Sequence, residues 1–336
     1  MNSLSVPAGP IDTHVHFLSQ EFFDLAREVG PRLGIRCLAE KGRDWLETAS
    51  GQRYQALPAL RSPAALMEEL KQMGSSAAVL SPPPFIFNYD LPADSARLLA
   101  DAVNRGLGRT AAQKPADLRS LGFLPMQHPD LAVSILEQGK GLYGLRGFAI
   151  GSNISGKDLD HPDFQPIFAR AEELGAVIFI HPWAPLGGER LSRHGLKSAL
   201  GLPLEVAAAG CCLILGGVMD RFPRLPFFLA HGGGALSFLL GRLQRLITAR
   251  GITLAWEPRD YLRSLYYDSI VLSGPALQLL VSVAGARQVL LGSDAPYHNG
   301  ETGDPDPLGS LTGLTSPAAG EINLITHRNA WGLFFS

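Results

Sequence analysis

The sequence contains few cysteines, and their positions show no disulfide framework. There are three in 336 residues; Cys211 and Cys212 are adjacent, and Cys37 lies far from both. An odd number without regular spacing indicates reduced thiols in the core. We therefore expect a cytoplasmic protein.

The chain also lacks a charge excess and long apolar runs. Its formal net charge is −2, without a basic block or an acidic tail, which disfavours nucleic acids and anionic membranes as partners. The longest apolar run, 207–219, contains glycines and is shorter than the roughly 18 residues that span a membrane. Residues 1–10 have no features of a secretory signal. A small molecule is the expected partner.

Short apolar runs alternate with helical patterns along the chain. The predicted strands cover residues 11–17, 77–81, 120–125, 144–150, 176–181, 226–231, 265–268 and 288–293. The predicted helices cover residues 63–73, 93–112, 130–139, 163–174, 202–220, 235–250, 275–284 and 318–334. This alternation indicates parallel βαβ units closed into an α/β fold, the (β/α)8 TIM barrel, as a single domain over 1–336. An open doubly wound sheet is the alternative.

The segment that follows the first predicted strand is irregular. Residues 18–61 have weak periodicity and several Gly and Pro, which predicts a long insertion after strand 1. Insertions at the C-terminal face of a barrel commonly cover the active site.

Ligand-type residues fall at the ends of predicted strands. His14 and His16, in IDTHVHF, are two residues apart and therefore share one strand face. His181, His231 and Asp294 end or follow strands five, six and eight. In a barrel these ends meet at one rim, whereas singly each residue could be a strand-end cap. Three imidazoles and one carboxylate suit a divalent ion such as zinc, with a position left for water.

These residues also carry a resemblance. IDTHVHF, IHPW, AHGGG, GSDAP and HRNAWGLF, in this order, resemble the amidohydrolase superfamily, in the branch of aminocarboxymuconate semialdehyde decarboxylase and related metal-dependent decarboxylases. The resemblance implies a distorted TIM barrel, a homodimer and one zinc on His14, His16, His181 and Asp294. It also implies His231 beside the metal-bound water. Manganese, iron and cobalt are alternatives to zinc, and no organic cofactor is expected.

A single metal is further indicated by what strand four lacks. Its end reads GFAIGSN, without the lysine or carboxylate that bridges two metals in dinuclear amidohydrolases. A zinc ion lowers the pKa of bound water from about 15.7 towards 7, which makes hydroxide available. His231 can take and return a proton, since its ordinary pKa is about 6.5. A fifth ligand or a packed strand-end histidine is the alternative for His231.

Three arginines are candidates for binding a substrate carboxylate. Arg242 and Arg250 lie eight residues apart on one predicted helix, about 80° apart around its axis. A single arginine is more often a solvated surface residue, but a guanidinium group binds a carboxylate through paired hydrogen bonds. The resemblance implies that both contact the substrate carboxylate across a dimer interface. Arg53 falls near a third such position, offset by about one residue.

Other positions depart from the decarboxylase pattern and leave the substrate open. Ala184 replaces the aspartate of HPWD, and His194 replaces a substrate-lining tryptophan. Trp183 is expected in the pocket wall or the core. His194, Tyr297 and His298 are expected either to line the pocket or to lie in loops.

The function that these observations predict is non-oxidative decarboxylation by metal-bound hydroxide, with His231 and Asp294 as catalytic residues. The expected substrate is a carboxylated muconate semialdehyde or a related unsaturated or aromatic acid. A hydratase or hydrolase that uses the same water is the alternative, and a non-catalytic ligand-binding barrel is another.

Overall fold

The computed structural model describes residues 9–315 and 319–336. The prediction of no secretory signal rests mainly on residues 1–8, which lie outside the described residues. Ala318, the first residue of the predicted last helix, also lies outside them.

Strands and helices alternate as predicted. The strands are β1 (Ile11–His16), β2 (Ile35–Glu40), β3 (Arg43–Thr48), β4 (Arg53–Gln55), β5 (Ala77–Ser81), β6 (Leu118–Phe123), β7 (Gly147–Gly151), β8 (Asn153–Ile154), β9 (Lys157–Asp158), β10 (Val177–His181), β11 (Phe227–Leu229), β12 (Tyr266–Asp268) and β13 (Val289–Leu290). The helices are α1 (Gln20–Leu33), α2 (Pro58–Arg61), α3 (Pro63–Gln72), α4 (Ala93–Gln113), α5 (Pro129–Leu142), α6 (Gln165–Glu173), α7 (Leu202–Leu215), α8 (Val218–Arg221), α9 (Leu236–Arg250), α10 (Pro258–Leu262), α11 (Gly274–Ala284), α12 (Pro307–Ser310) and α13 (Ala319–Asn323).

Eight of these strands form one parallel sheet, in the order β1, β5, β6, β7, β10, β11, β12, β13. Strands of such a sheet are buried on both faces and consist of continuous apolar runs, as in VIFIH of β10, where all residues are buried. The rings of Phe179 and Phe228 stack 4.6 Å apart on neighbouring strands. The predicted (β/α)8 fold is confirmed.

The first and last strands close the barrel. The amide of Thr13 donates to the carbonyl of Leu291 at 2.8 Å, and the amide of Asp294 donates to the carbonyl of His14 at 2.9 Å. The predicted strand 288–293 is shorter in the structure: its pairing with β12 ends at Leu290, and the amide of Leu291 donates to the carbonyl of Ile325 instead.

Most predicted helices are present, with shifted ends. The predicted helix 202–220 is divided into α7 and α8, because Gly217 adopts a left-handed φ of 69° between them. The predicted last helix is also interrupted: α13 is followed by π-type turns at Leu324–Arg328 and Trp331–Phe335.

The insertion 18–61 is more regular than its sequence suggests. It contains α1, the antiparallel sheet β2–β3–β4 and α2. The weak periodicity of this segment did not indicate α1, which buries Phe22 and Phe23 against the core. Pro31 inside this helix obscures the helical pattern.

One helical stretch is apolar enough to resemble a membrane span. Lys197–Leu215 is long and apolar enough to cross a membrane by length and composition, although a little under half of it is buried in the structure. The stretch includes α7, whose Val206, Leu213 and Ile214 are buried in the core of the barrel protein. A core helix satisfies the same criteria of length and composition, so the absence of a membrane partner stays a prediction.

The three cysteines are unpaired, as predicted, but all are partly exposed rather than buried in the core. Cys211 and Cys212 are adjacent on α7. The side chains of this helix that are buried belong to other residues, such as Leu213 and Ile214.

Candidate metal centre and active site

Four predicted residues meet at the C-terminal rim of the barrel. The ligand atoms of His14, His16, His181 and Asp294 lie within 4.8 Å of one another, and all four side chains are buried. Alternation along β1 places the rings of His14 and His16 5.1 Å apart. His181, at the end of β10, lies 5.2 Å from each of these rings.

Hydrogen bonds at Nδ1 orient two of the imidazoles. Nδ1 of His14 lies 2.7 Å from Oδ2 of Asp268, and Nδ1 of His181 lies 3.2 Å from the carbonyl of Pro182. A carbonyl and an ionised carboxylate only accept, so each Nδ1 carries the proton. Nε2 of both rings is buried and finds no hydrogen-bond partner within residues 9–315 and 319–336. These nitrogens therefore present free lone pairs.

The remaining two candidate ligands face each other. Nδ1 of His16 lies 3.3 Å from Oγ of Ser81, while its Nε2 lies 3.0 Å from Oδ1 of Asp294. The hydroxyl of Thr302 donates to the other oxygen of Asp294 at 2.8 Å. Three imidazoles and one carboxylate that converge on one point, with unpaired buried Nε2 atoms, fit a divalent cation.

The electrostatics place the ligands largely in their metal-binding forms. Burial alone would raise the pKa of Asp294, but the hydrogen bond from His16 and the charges of neighbouring histidines hold it well below its usual range. Burial lowers the pKa of His16 and lowers that of His181 well below its usual value. Burial also opposes the charge on His14, but the hydrogen bond to Asp268 outweighs it and raises the pKa.

His231 lies beside this cluster, in the turn after β11. Its ring is 5.2 Å from that of His14 and 5.4 Å from that of His181. It is buried, and this burial lowers its pKa. A neutral imidazole next to the four ligands is suited to accept a proton near neutral pH.

The turn that carries His231 requires glycine. His231 has a φ of 51°, and Gly232, Gly233 and Gly234 follow with left-handed φ values. A Cβ on Gly234 would lie 1.8 Å from the carbonyl oxygen of Pro203. The backbone therefore approaches the start of α7 more closely than any larger residue allows.

Gly234→Ala is expected to lower the free energy of unfolding by roughly 3 kcal/mol or more, since it adds a backbone clash to a left-handed conformation. Gly241→Ala is the matched control, because a Cβ at this exposed position on α9 meets nothing within 4 Å. The control should be neutral or stabilise by up to about 1 kcal/mol. Chemical denaturation measures both, and equal stability of the two variants would refute the packing argument.

A cavity of about 360 Å³ leads to His231. Its wall is mainly apolar and includes Leu202, Phe238, Ile270 and Leu280. This size and lining suit a small organic molecule whose polar end reaches the rim of the barrel.

Comparison with known proteins identifies the family. The family model described as Amidohydrolase matches residues 11–335. The chain belongs to the amidohydrolase family. Over 239 residues it is 36% identical to the 2-amino-3-carboxymuconate-6-semialdehyde decarboxylase of Dictyostelium discoideum, covering 70% of this chain and 67% of that protein.

Solved structures agree with this assignment. The 5-carboxyvanillate decarboxylase of Sphingomonas paucimobilis superposes with a TM-score of 0.80 at 26% identity, covering 97% of this chain and 98% of that one. The dihydroxybenzoic acid decarboxylase of Polaromonas sp. JS666, a structure with bound manganese and an inhibitor, has a TM-score of 0.76 at 20% identity, with 97% and 96% covered.

Tyr297 of this amidohydrolase lies next to the candidate metal centre. Its ring is partly buried, 6.2 Å from that of His16, and its buried hydroxyl has no hydrogen-bond partner among the described residues. Phe85 packs 6.4 Å from Tyr297 and stacks on Tyr54 at 4.2 Å. Through Tyr54 the insertion reaches this side of the site, in line with its predicted covering role.

The other aromatic candidates lie farther out in the amidohydrolase rim. Trp183 is half-buried and packs edge-on against Tyr89, 6.2 Å away. His194 is exposed in a loop with a φ of 62°. His298 is buried, with its Nδ1 3.2 Å from Oε1 of Glu69. Roles in binding stay predictions for Trp183 and His194.

The three predicted arginines lie at the surface of this amidohydrolase chain. Arg53 is half-exposed and donates to Glu47 at 2.7 Å and to Glu40 at 3.1 Å within the small antiparallel sheet. Arg242 and Arg250 are exposed on α9. None of the three is among the described residues that line the cavity. Their substrate-binding role stays a prediction that requires a second subunit or a rearrangement.

Sequence reasoning missed the residues that orient the ligands. Asp268 contacts His14, Ser81 contacts His16 and Thr302 contacts Asp294. Asp268 and Ser81 each end a barrel strand, as His16 and His181 do. A polar residue at the end of a predicted barrel strand was the feature of the sequence that could have indicated Asp268 and Ser81.

A second set of ligand-type residues in this amidohydrolase, Asp158, Asp160 and Cys212, lies at the surface. Burial and then the neighbouring carboxylates raise the pKa of Cys212 to about 12. In the ion-free protein the thiol is therefore protonated near neutral pH.

Proposed function

We propose that this amidohydrolase is a metal-dependent decarboxylase, a carboxy-lyase that acts on aromatic or unsaturated carboxylic acids. The observation that carries this proposal is the buried His231 facing four convergent ligands at the end of an apolar cavity. The relatives named decarboxylases support the reaction class. A carboxylated muconate semialdehyde is one candidate substrate, and a substituted hydroxybenzoate is another.

Zinc is the ion that we propose for His14, His16, His181 and Asp294, because a nitrogen-rich set with one carboxylate suits it. The manganese in the related structure makes manganese the principal rival. When bound, the ion polarises the substrate and lowers the pKa of an adjacent water molecule. Metal analysis of protein purified without added ions decides between them.

The reaction requires one proton at a defined place. The bond between the ring or alkene carbon and its carboxylate breaks, carbon dioxide leaves, and the electron pair stays on that carbon. A proton must then be delivered to that carbon, on the face that the substrate presents to His231. The imidazole can take a proton from water and pass it to the carbon, because an imidazole accepts and releases protons near neutral pH. The apolar wall, with Ile270 and Leu280, excludes competing water.

The direct test is the product. Metal-loaded protein is incubated with a panel of aromatic and unsaturated acids in ¹⁸O-labelled water, and carbon dioxide and label are measured together. Carbon dioxide release without label in the organic product is expected. Label in the product without carbon dioxide would replace the proposal with a hydratase or hydrolase, and absence of both would favour a ligand-binding barrel.

We further propose that the protein is a homodimer joined around α9. Phe238 is 77% exposed and Leu272 54% exposed, and both border the cavity mouth. Arg242 and Arg250 lie on the same helix without an ion-pair partner among the described residues. A second copy would bury the apolar side chains and bring these guanidinium groups to a neighbouring cavity, where they would bind the substrate carboxylate.

Phe238→Asp is expected to raise the dimer dissociation constant about 100-fold, since each subunit loses one buried phenyl ring at the contact. Leu142→Asp is the matched control. Leu142 is similarly exposed, at 75%, but it lies on α5 and does not line the cavity. Analytical ultracentrifugation measures both. A wild-type monomer at micromolar concentration would end this proposal.

We also propose a cytoplasmic location, which the three free thiols support. Fractionation of the source cells tests it.

A further inference from the structure

Asp268 ends β12 and is fully buried. Its Oδ2 receives hydrogen bonds from Nδ1 of His14 at 2.7 Å and from the amide of His231 at 2.8 Å. Its Oδ1 receives the amides of Gly232 at 2.9 Å and Ile270 at 3.0 Å. One carboxylate therefore contacts both a candidate metal ligand and the backbone of the candidate proton-transfer residue.

The contact with His14 fixes which ring nitrogen is free. A carboxylate that already accepts three amides can only accept from the imidazole as well, so the proton of His14 stays on Nδ1. Nε2 is then left with its lone pair, 3.6 Å from Oδ1 of Asp294, and no residue in the described part of the chain hydrogen-bonds to it. This is the tautomer and orientation that metal binding needs.

The contacts with the turn stabilise an unfavourable backbone. His231 and Gly232 have φ values of 51° and 61°, and the left-handed region is costly for a non-glycine residue. Two successive amides that point at one carboxylate offset this cost. The same bonds hold the ring of His231 against those of His14 and His181.

We propose that Asp268 is the positioning residue of this site: it selects the metal-binding tautomer of His14 and at the same time holds His231 in place. The inference rests on the proposed function for the role of His231, but its first half concerns metal binding alone. Asp268 does not touch the cavity, so it acts through the two histidines.

The test is Asp268→Asn in the full-length chain. The amide can donate to Nδ1 of His14 and thus stabilises the other tautomer, so the affinity for Zn²⁺ and Co²⁺ should fall about 10- to 100-fold. Competition with a chromophoric chelator measures this, and the visible spectrum of the Co²⁺ form should change. Asp304→Asn is the matched control, because Asp304 is also buried and accepts from the amide of Asp306 and the hydroxyl of Ser310. Its metal affinity and spectrum should equal those of wild type.

A second measurement needs no variant. In Zn²⁺-loaded wild-type protein, the ¹⁵N shifts of His14 should show a protonated Nδ1, and an unprotonated Nδ1 would overturn the proposal. Wild-type affinity and Co²⁺ spectrum in Asp268→Asn would overturn it too, whatever the activity. If the metal is lost in Asp268→Asn but wild type releases no carbon dioxide from any acid, the positioning role stands and the proposed function fails.

Discussion

Chelation is expected to reduce carbon dioxide release by at least about 10³-fold, and stoichiometric Zn²⁺ or Mn²⁺ should restore it. The expectation follows from the four convergent ligands, since loss of an ion that stabilises developing charge costs several kcal/mol and each 1.4 kcal/mol is a factor of ten. The buried Nε2 atoms of His14 and His181 have no hydrogen-bond partner among the described residues, so their lone pairs are available to the ion. Initial rates and metal content are measured in the same samples.

Two histidine variants distinguish the loss of a metal ligand from the general effect of removing a histidine. His181→Ala should lose both the metal and the activity, because His181 supplies one of the four ligand atoms. His161→Ala is the control: its side chain is exposed and pairs only with Asp163 among the described residues. Full activity in a preparation that analysis finds free of metal would sink the assignment of this centre.

His231→Asn should lower kcat by about 10²- to 10⁴-fold while the metal content stays at the wild-type level. His231 is not among the four convergent ligands, so its removal takes away proton transfer and leaves the ion. Asparagine is the suitable replacement, because position 231 has a φ of 51° and asparagine tolerates this region better than most residues.

The activity and the metal content of His231→Asn can change independently of each other. If His231→Asn loses the metal together with the activity, His231 is a fifth ligand, which is the alternative that the sequence left open. If it keeps both, another group transfers the proton. Thermal unfolding of the variant beside wild type shows whether the turn at Gly232 is intact.

The barrel could be predicted because its strands are short apolar runs separated by helices of regular period. Where the structure differs from the prediction, the cause is a local backbone effect that the hydrophobic pattern of the sequence does not indicate. Gly217 separates α7 from α8 within one long apolar stretch, and Pro31 obscures the period of α1. The last strand is short because the amide of Leu291 donates to Ile325, near the end of the described residues, instead of continuing the ladder with β12.

The candidate ligands could be located because His181 and Asp294 fall at or just after strand ends, and barrel topology brings such ends together. The role of Asp268 could not, since one carboxylate at a strand end does not reveal which histidine it meets. Nor could the positions of the arginines be interpreted: Arg53 pairs within its own small sheet, and Arg242 lies on an outer helix face. Their partners depend on tertiary and quaternary contacts that no local pattern records.

The joining of the first and last barrel strands has a consequence for biosynthesis. Asp12 accepts the amide of Ser293 from 281 positions away, and the candidate ligands are drawn from both ends of this span. A nascent chain that stops short of Asp294 holds at most His14, His16 and His181, so it cannot complete the centre. The four-ligand site can therefore assemble only after the last barrel strand has been translated and has paired with the first.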